Sequence, residues 1–192
     1  MWYYRLLTTL WHSTALPSIW PTPAGQRPTY ASGFSSVKLI LLGGARHAED
    51  RARVQSIQDL AKELKITPHV EFIINASYPE MLSWVAKASI GLSTMVDKHF
   101  RVNVVEFMAA GVILVTHASG GPLHDIVVRL DGEATGFHAH DSQSFADAMR
   151  RVLSMGRLEE QVMRERARRW AVSAFAEECS VEGWEAVWKA YI

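Results

Sequence analysis

The chain has 192 residues, enough for one ordinary domain with a sizeable core. Its 48% hydrophobic and 21% charged residues are typical of a globular protein and exclude a disordered one. Twenty Lys and Arg residues balance twenty Asp and Glu residues, so no overall field attracts nucleic acid or acidic lipid, and any anion site must be local. The single cysteine, Cys179, cannot form an internal disulfide, which fits a reducing compartment.

Residues 1–36 form an apolar and proline-rich leader that we expect to be irregular. The first twenty residues, MWYYRLLTTLWHSTALPSIW, are interrupted by Arg5, His12 and Pro17, which argues against a spanning helix or a signal peptide. An interfacial membrane anchor is an alternative, because Trp and Tyr side chains suit the headgroup boundary. Ordered structure is expected to begin at Val37.

From residue 37 onward, short apolar runs alternate with segments whose apolar residues recur at helical spacing. The predicted strands are VKLILLGG (37–44), HVEFII (69–74), SIGLST (89–94), VILVTH (112–117) and GFHAH (136–140). The predicted helices are EDRARVQSIQDLAKELKI (49–66), YPEMLSWVAKA (78–88), VNVVEFMAAG (102–111), a segment across 145–152, LEEQVMRERARRWAVSAF (158–175) and VEGWEAVWKAYI (181–192).

Strands that alternate with helices require crossover connections, which produce a parallel sheet with helices on both faces. The predicted fold is therefore α/β, a single Rossmann-like lobe over residues 37–192 that includes the C-terminal helices. In such a sheet the ligand lies beyond the carboxyl ends of the strands. Three loops follow those ends, at residues 43–46, 93–103 and 117–122.

The sequence of the first loop is compatible with an anion site, although two glycines alone are not specific for one. At Gly43 and Gly44 the missing side chains allow a phosphate or a sugar to approach the backbone, and Arg46 can supply a guanidinium. The alternative interpretation of these glycines is that they only end the strand. For the ASGGP turn at 118–122, the alternative to a ligand contact is a plain strand-to-helix connection. The absence of G-x-G-x-x-G argues against a nicotinamide or flavin site.

The second loop leads into the helix that begins near Val102. The first amides of a helix and the positive end of its dipole favour a diphosphate. Glu106 lies about one turn inside, where a carboxylate can accept hydrogen bonds from vicinal hydroxyls such as those of a ribose. We expect apolar neighbours, including Val104 and Phe107, to surround Glu106 so that it needs a partner. A solvated helix glutamate is the alternative.

Residues 37–155 resemble the C-terminal domain of retaining GT-B glycosyltransferases of family 4. The likeness rests on LILLGGAR, VEFIIN, IGLSTMVDKHFRVNVVEFMAAG and HASGGPLHDIVV, whose order and spacing agree with that family. Within it, these segments look like the members that transfer mannose from GDP-mannose, in α-1,2 linkage, to a dolichol-linked oligosaccharide during N-glycan precursor assembly. The resemblance implies a nucleotide-sugar donor, a lipid-linked acceptor, the cytosolic face of the endoplasmic reticulum membrane, no nucleic acid and no metal cofactor.

The same resemblance implies a donor site with one acid replaced. In the family's E-x7-E pattern the second Glu binds the donor ribose and the first contacts the transferred sugar. Glu106 matches the second acid, whereas Lys98 stands where the family has the first. Arg101 and Asn103 replace residues that are usually small. Arg101, Val102, Asn103 and Glu106 are thus the implied donor contacts, and Lys98 is expected to impair placement of the sugar.

Two further departures bear on activity. We find no convincing match in residues 1–36 for the basic residues that the family uses upstream to clamp the diphosphate, and we expect the acceptor-side lobe to be missing. Because orientation of two reactants is worth about 7–11 kcal/mol of a barrier, we expect the isolated chain to be inactive. An inactive chain of this kind can be a fragment of a longer enzyme, an alternative gene product or a degenerate copy of the gene.

Two other interpretations stay open. A non-catalytic interaction module would keep the fold and lose the ligand, and the cationic loop at 98–103 favours it. Trp184 and Trp188, at i and i+4, would then form an exposed face that causes association. A metal site at His138 and His140 lacks a third and a fourth ligand at suitable spacing.

Overall fold

The computed structural model describes residues 5–10, for which it gives the backbone alone, and residues 37–176. The strands are β1 (Arg5–Leu10), β2 (Val37–Gly43), β3 (Val70–Ile74), β4 (Ile90–Ser93), β5 (Ile113–His117), β6 (Arg129–Leu130), β7 (Glu133–Ala134) and β8 (Phe137–Ala139). The helices are α1 (Ala48–Glu63), α2 (Tyr78–Lys87), α3 (Val102–Ala109), α4 (Ser142–Leu153) and α5 (Arg157–Phe175), with a 3-10 turn at Thr67–His69 and a π-helical turn at Pro122–Ile126.

The main sheet has the strand order β3-β2-β1-β4-β5-β8. Five of its strands, β2, β3, β4, β5 and β8, run in the same direction, while β6 and β7 form a separate two-stranded antiparallel sheet. This arrangement confirms the predicted α/β lobe with a parallel sheet. The predicted helix at 181–192, with Trp184 and Trp188, lies outside the described residues.

The strand β1 departs from the expectation that ordered structure begins at Val37. It lies in the middle of the sheet and runs antiparallel to both β2 and β4, with Arg5 opposite Leu42 and Leu10 opposite Val37. A central position pairs backbone groups on both sides, and the segment RLLTTL has the apolar and β-branched residues that suit strands. The prediction failed because a short apolar run gives no sign of a distant pairing partner.

The sheet carries an apolar cluster on each face. Helices α3 and α5 cover one face, where Phe107, Val104 and Leu114 are fully buried. Helix α4 covers the other, with a cluster formed by Ile90, Leu92, Ile113, Val115, Ala139, Phe145, Ala148, Val152 and Met163. Each fully buried large side chain of this kind contributes about 1.5–3 kcal/mol, so the two clusters fix the positions of the strands.

Helices α1 and α2 are less well covered than their sequence patterns predict. Leu60, Leu64 and Leu82 belong to the apolar helical pattern of these segments, yet all three are exposed. The buried positions of these helices are instead Ala61 and Val85, together with Asp50 at the start of α1. The helical periodicity therefore located the two helices correctly but overstated the width of their buried faces.

The guanidinium of Arg164 on α5 ties together the ends of two other helices. It donates to the carbonyl oxygen of Gly111, just after α3, at 2.8 Å and to that of Ser89, after α2, at 3.3 Å. It also pairs with Glu160 Oε1 at 2.7 Å. Since carbonyls at helix C-termini carry partial negative charge, a cation here is favourable, and it fixes the turns that lead into β4 and β5.

The loops after β4 and β5 meet in a close backbone contact. The amide of Gly121 donates to the carbonyl oxygen of Lys98 at 2.9 Å. A Cβ at Gly121 would overlap the carbonyl oxygen of His99, and one at Gly120 would overlap Lys98. Gly120 also has a φ of +57°, a conformation that L side chains rarely adopt. Both glycines are therefore required by the packing of the Lys98 loop.

We predict that Arg164→Ala lowers the free energy of unfolding by about 2–3 kcal/mol, because its hydrogen-bond partners at the helix ends lose a charged donor. Arg168→Ala, an exposed arginine on the same helix, is the matched control and should change it by less than about 0.5 kcal/mol. Urea unfolding measures both values. Equal effects of the two substitutions would contradict the role assigned to Arg164.

We predict that Gly121→Ala destabilises the chain by about 1–3 kcal/mol and displaces the Lys98 loop, since the added methyl group has no space. Gly44→Ala is the control at the same edge of the sheet, where the new Cβ would meet Asn75 Oδ1 at an ordinary 3.7 Å. Amide NMR shifts of Lys98 and His99 report the displacement. Unchanged shifts in Gly121→Ala would show that the close contact is not formed.

Candidate functional site

The candidate site lies at the carboxyl edge of the sheet, where the three predicted loops emerge. The loop after β2 and the loop after β4 leave the sheet on either side of β1. Neighbouring strands are about 4.8 Å apart, so these two loops start about 10 Å from each other. The strand β5 lies next to β4 in the sheet, and the contact of the loop after β5 with Lys98 joins that loop to the second one. The three loops thus border one surface.

The backbone amides of the first loop already have partners within the chain. The Ala45 amide donates to Asn75 Oδ1 at 2.8 Å. Asp50 Oδ2 accepts from the amides of Arg46 at 3.0 Å and His47 at 3.1 Å. A phosphate at this turn would therefore compete with the Asp50 carboxylate. Sequence reasoning missed Asp50 and Asn75 because their partners are defined only by the folded turn.

The glycines of this loop differ in their surroundings. Gly43 ends β2, and its carbonyl oxygen accepts a hydrogen bond from the Asn75 amide at 2.8 Å. Gly44 is exposed, and packing does not require the absence of a side chain there. Arg46 is also exposed at the same edge. The loop thus presents open surface at Gly44 and Arg46, and their contact with a ligand stays a prediction.

The second loop places three predicted donor contacts at the start of α3. Arg101 is the N-cap residue, and its carbonyl oxygen accepts from the amides of Val104 at 3.0 Å and Val105 at 3.3 Å. Among the described residues, the amides of Val102 and Asn103 have no acceptor. These two amides, at the positive end of the helix dipole, suit an anion that approaches from solvent.

The side chains at this helix start are unevenly exposed. Arg101 and Asn103 are buried, with 9% and 1% of their surface accessible, whereas Val102 is 49% exposed. The bulk of the two residues that replace small family residues is therefore directed largely into the protein. Crowding of the donor's approach by Arg101 and Asn103 stays a prediction, and Val102 forms more of the outer surface.

Glu106 lies on the surface of α3, and the expectation that apolar neighbours surround it is wrong. Val104 and Phe107 are fully buried, while Glu106 is exposed. The reason is helical geometry, since successive residues are separated by about 100° around the axis and neighbours in sequence occupy different faces. Glu106 is thus accessible to solvent about 6 Å along the helix from its first amides. Its role toward a ribose stays a prediction.

The loop that leads to α3 is cationic at its surface. Lys98 and His99 are exposed, and Lys98 forms no ion pair with any of the described residues. The backbone of this loop is fixed by its contact with the two glycines after β5. The fold thus sets the Cα position of Lys98, while no ion pair with the described residues holds its ammonium group.

A hydroxyl from the third loop supports the same segment. Ser119 Oγ accepts a hydrogen bond from the Asp97 amide at 2.9 Å and lies 2.8 Å from His117 Nδ1. Asp97 has a φ of +49°, which an aspartate tolerates better than most residues. Ser119 and His117 thus hold the turn at Asp97. Sequence reasoning placed this loop at the site but did not assign that role.

Three buried oxygen atoms lie where β4, β5 and α3 meet. Ser93 Oγ, Asn103 Oδ1 and Thr116 Oγ1 are inaccessible and have no hydrogen-bond partner among the described residues. Ser93 and Thr116 are opposite each other in neighbouring strands. Unpaired buried polar groups are costly, so these three oxygens stand out from their apolar surroundings. The sequence offered one sign of this junction, a polar residue at or near the end of two apolar strands: Ser93 in IGLS and Thr116 in ILVTH.

His138 in β8 and His140 just after it both have neighbours within the chain. His138 Nε2 lies 3.1 Å from the carbonyl oxygen of Pro122, and His140 lies 3.4 Å from an Asp141 oxygen. Over the described parts of the chain, no three His, Cys, Asp or Glu side chains are grouped as ligands. The Ser144 amide, which donates to Asp141 at the start of α4, lowers the pKa of that carboxyl. Asp141 therefore serves as a helix cap.

The family and its members were identified by comparison with known proteins. The family described as glycosyl transferases group 1 matches residues 30–170. A mouse protein named GDP-Man:Man(3)GlcNAc(2)-PP-Dol alpha-1,2-mannosyltransferase is 40% identical over 154 residues, 77% of this chain and 31% of its own length. The protein of the same name from Neurospora crassa is 48% identical over 118 residues, 62% of this chain and 21% of its own length. The chain therefore spans less than a third of these relatives.

Solved structures agree with the fold. Sucrose-phosphate synthase from Thermosynechococcus elongatus has a TM-score of 0.65 at 19% identity, covering 79% of this chain and 38% of its own. A glycosyltransferase from Rickettsia africae has a TM-score of 0.64 at 18% identity, and the match covers 79% of this chain and 39% of that one. The α/β lobe is thus of the kind found in GT-B glycosyltransferases. With more than half of its length matched by the family, the chain belongs to the glycosyl transferases group 1 family.

Proposed function

We propose that this chain is the donor-binding lobe of a retaining mannosyltransferase that moves mannose from GDP-mannose to a dolichol-linked oligosaccharide in α-1,2 linkage. One observation supports it most: the amides of Val102 and Asn103, which have no acceptor among the described residues, and the exposed carboxylate of Glu106 lie one helical turn apart at the ligand edge. That spacing fits a diphosphate on the amides and a ribose on the carboxylate. The names of the relatives supply the base, the sugar and the acceptor.

The proposed chemistry relies on stabilisation of the leaving group. As the bond from mannose to the diphosphate breaks, the sugar gains oxocarbenium character and negative charge develops on the diphosphate. Fixed amide donors and basic side chains such as Arg46 stabilise that charge without reorganising. The helix start supplies the same kind of stabilisation that a metal ion supplies elsewhere, and we propose that no metal is used.

The proposed partners and location follow from the acceptor. A dolichol-linked oligosaccharide is held in a bilayer, so the transferase must work at a membrane surface, which we propose is the cytosolic face of the endoplasmic reticulum. None of the helices in the described residues is long and apolar enough to cross a bilayer.

We further propose that the isolated chain does not transfer mannose. Lys98 stands where the family has the acid that contacts the transferred sugar, and an ammonium group cannot accept a hydrogen bond from a hydroxyl. The diphosphate contacts do not depend on that position. Binding of the nucleotide and placement of the sugar are thus separable properties of this site.

We predict that the chain binds GDP with a dissociation constant in the micromolar to millimolar range and that Glu106→Gln weakens it about tenfold, because a charged acceptor for the ribose is lost. Glu63→Gln, an exposed glutamate at the far end of α1, is the control and should bind as the wild type does. Calorimetry gives the constants. Absence of GDP binding to the folded chain would refute the proposed function.

We predict that Lys98→Glu improves binding of GDP-mannose relative to GDP by at least about threefold, since a carboxylate can accept from the sugar hydroxyls. The wild-type chain should bind GDP at least as tightly as GDP-mannose. Lys87→Glu, at the end of α2, is the control for the change in net charge. A ratio that is the same in all three proteins would show that position 98 does not face the sugar.

A non-catalytic interaction module is the second candidate. The exposed cationic pair Lys98 and His99 favours it, because a surface that has lost its sugar contact can acquire an acidic partner. This candidate requires association of the chain with itself or with another protein. A strictly monomeric chain that binds GDP in analytical ultracentrifugation would contradict self-association and leave the donor lobe as the function.

A further inference from the structure

We propose that Ser93, Asn103 and Thr116 together bind one buried water molecule beneath the first turn of α3. Their three oxygen atoms are inaccessible to solvent and have no hydrogen-bond partner among the described residues. Buried polar atoms in folded proteins nearly always have a partner, either a protein group or an ordered water. Three such atoms at one junction therefore point to a shared partner. The site is internal and does not depend on the proposed function.

The two hydroxyl side chains lie on the face of the sheet that α3 covers. Leu92 and Val115 belong to the cluster on the opposite face, beneath α4. Because successive side chains of a strand alternate between faces, Ser93 and Thr116, each one residue later, are directed toward α3. The two residues are opposite each other in adjacent strands, about 4.8 Å apart. Their hydroxyl groups thus share one small region of the interior.

The packing of α3 places Asn103 over this pair. Deeper in the same face, a Cβ at Gly91 would lie 2.7 Å from the Phe107 ring and 3.0 Å from Leu114, so this ring packs directly on that level of the sheet. Asn103 is one helical turn, about 6 Å, nearer the carboxyl edge than Phe107. The two hydroxyl residues are two positions, about 6.6 Å, nearer that edge than the glycine and the leucine. The helix and the strands therefore bring the three polar side chains to one level.

This level has room for a small molecule. Serine, asparagine and threonine are together smaller than the glycine, phenylalanine and leucine that fill the level below. Asn103 is nevertheless 1% exposed and Thr116 is fully buried, so the level is closed to bulk solvent. A polar cavity of this kind holds water when it offers two to four polar partners, and this one offers three.

Water fits the chemistry of the three atoms better than an ion does. It can accept hydrogen bonds from the hydroxyls of Ser93 and Thr116 and donate one to Asn103 Oδ1. A metal cation is disfavoured by the positive end of the α3 dipole and by the buried guanidinium of Arg101. An anion is disfavoured because Asn103 Oδ1 has no proton to donate. The water molecule thus links β4 and β5 to the start of α3.

The test uses Thr116→Val, which removes one hydroxyl and nearly preserves the shape of the side chain. Thr135→Val is the matched control, because Thr135 is also buried and its hydroxyl donates to the carbonyl oxygen of Val128 at 2.6 Å. Thr94→Val is the control for an exposed threonine just after β4. Circular dichroism melting gives the Tm of each variant, and a high-resolution crystal structure of the wild-type chain shows what the three oxygens contact.

We expect Thr116→Val and Thr135→Val each to lower the Tm by about 2–4 °C, since each removes one hydrogen bond of a buried hydroxyl, and Thr94→Val to leave it unchanged. The crystal structure should show one water within about 3.2 Å of all three oxygens. An unchanged or raised Tm of Thr116→Val would overturn the inference, because loss of an unpaired buried hydroxyl is not destabilising. A lower Tm without a water, with the two hydroxyls bonded directly to each other, would overturn it as well.

Discussion

The site depends on the close contact between the backbone of the Lys98 loop and the glycines at 120 and 121. A side chain at either glycine would occupy the space of the neighbouring carbonyl groups, so the two loops can approach only because these residues have none. The hydrogen bond from the Gly121 amide to the Lys98 carbonyl then fixes the approach to α3. The position of the first helical amides, and hence of any bound anion, follows from this contact.

The sequence was sufficient for the sheet from β2 to β8 and for the helices between them, because those segments have clear and different apolar periodicities. It was not sufficient for β1, whose six residues are defined by partners at least 27 positions away in β2 and in β4. The exposure of Glu106 was also misjudged, since apolar neighbours in sequence were taken for neighbours in space. The satisfied amides at Arg46 and His47 depend on Asp50, and only the folded turn brings it there.

The proposed donor site separates two properties that one motif combines in the family, namely binding of the nucleotide and placement of the sugar. In the proposed site the nucleoside diphosphate contacts the amides of α3 and the carboxylate of Glu106, whereas Lys98 faces the transferred sugar. Placement of the sugar requires an acceptor of hydrogen bonds at that position, which a lysine does not provide. A chain with this fold can therefore keep an affinity for the nucleotide while it lacks the reaction. The Ser119 hydroxyl and the glycine contact would still hold the loop in place.

The most direct test of the account is an NMR titration of the chain with GDP, with UDP as the comparison. The account predicts that the amide signals of Val102 and Asn103 shift most, with smaller shifts across the loops after β2 and β5, and that GDP acts at lower concentration than UDP. Shifts confined to other parts of the chain, or none at saturating GDP, would contradict the assignment of this edge as a nucleotide site.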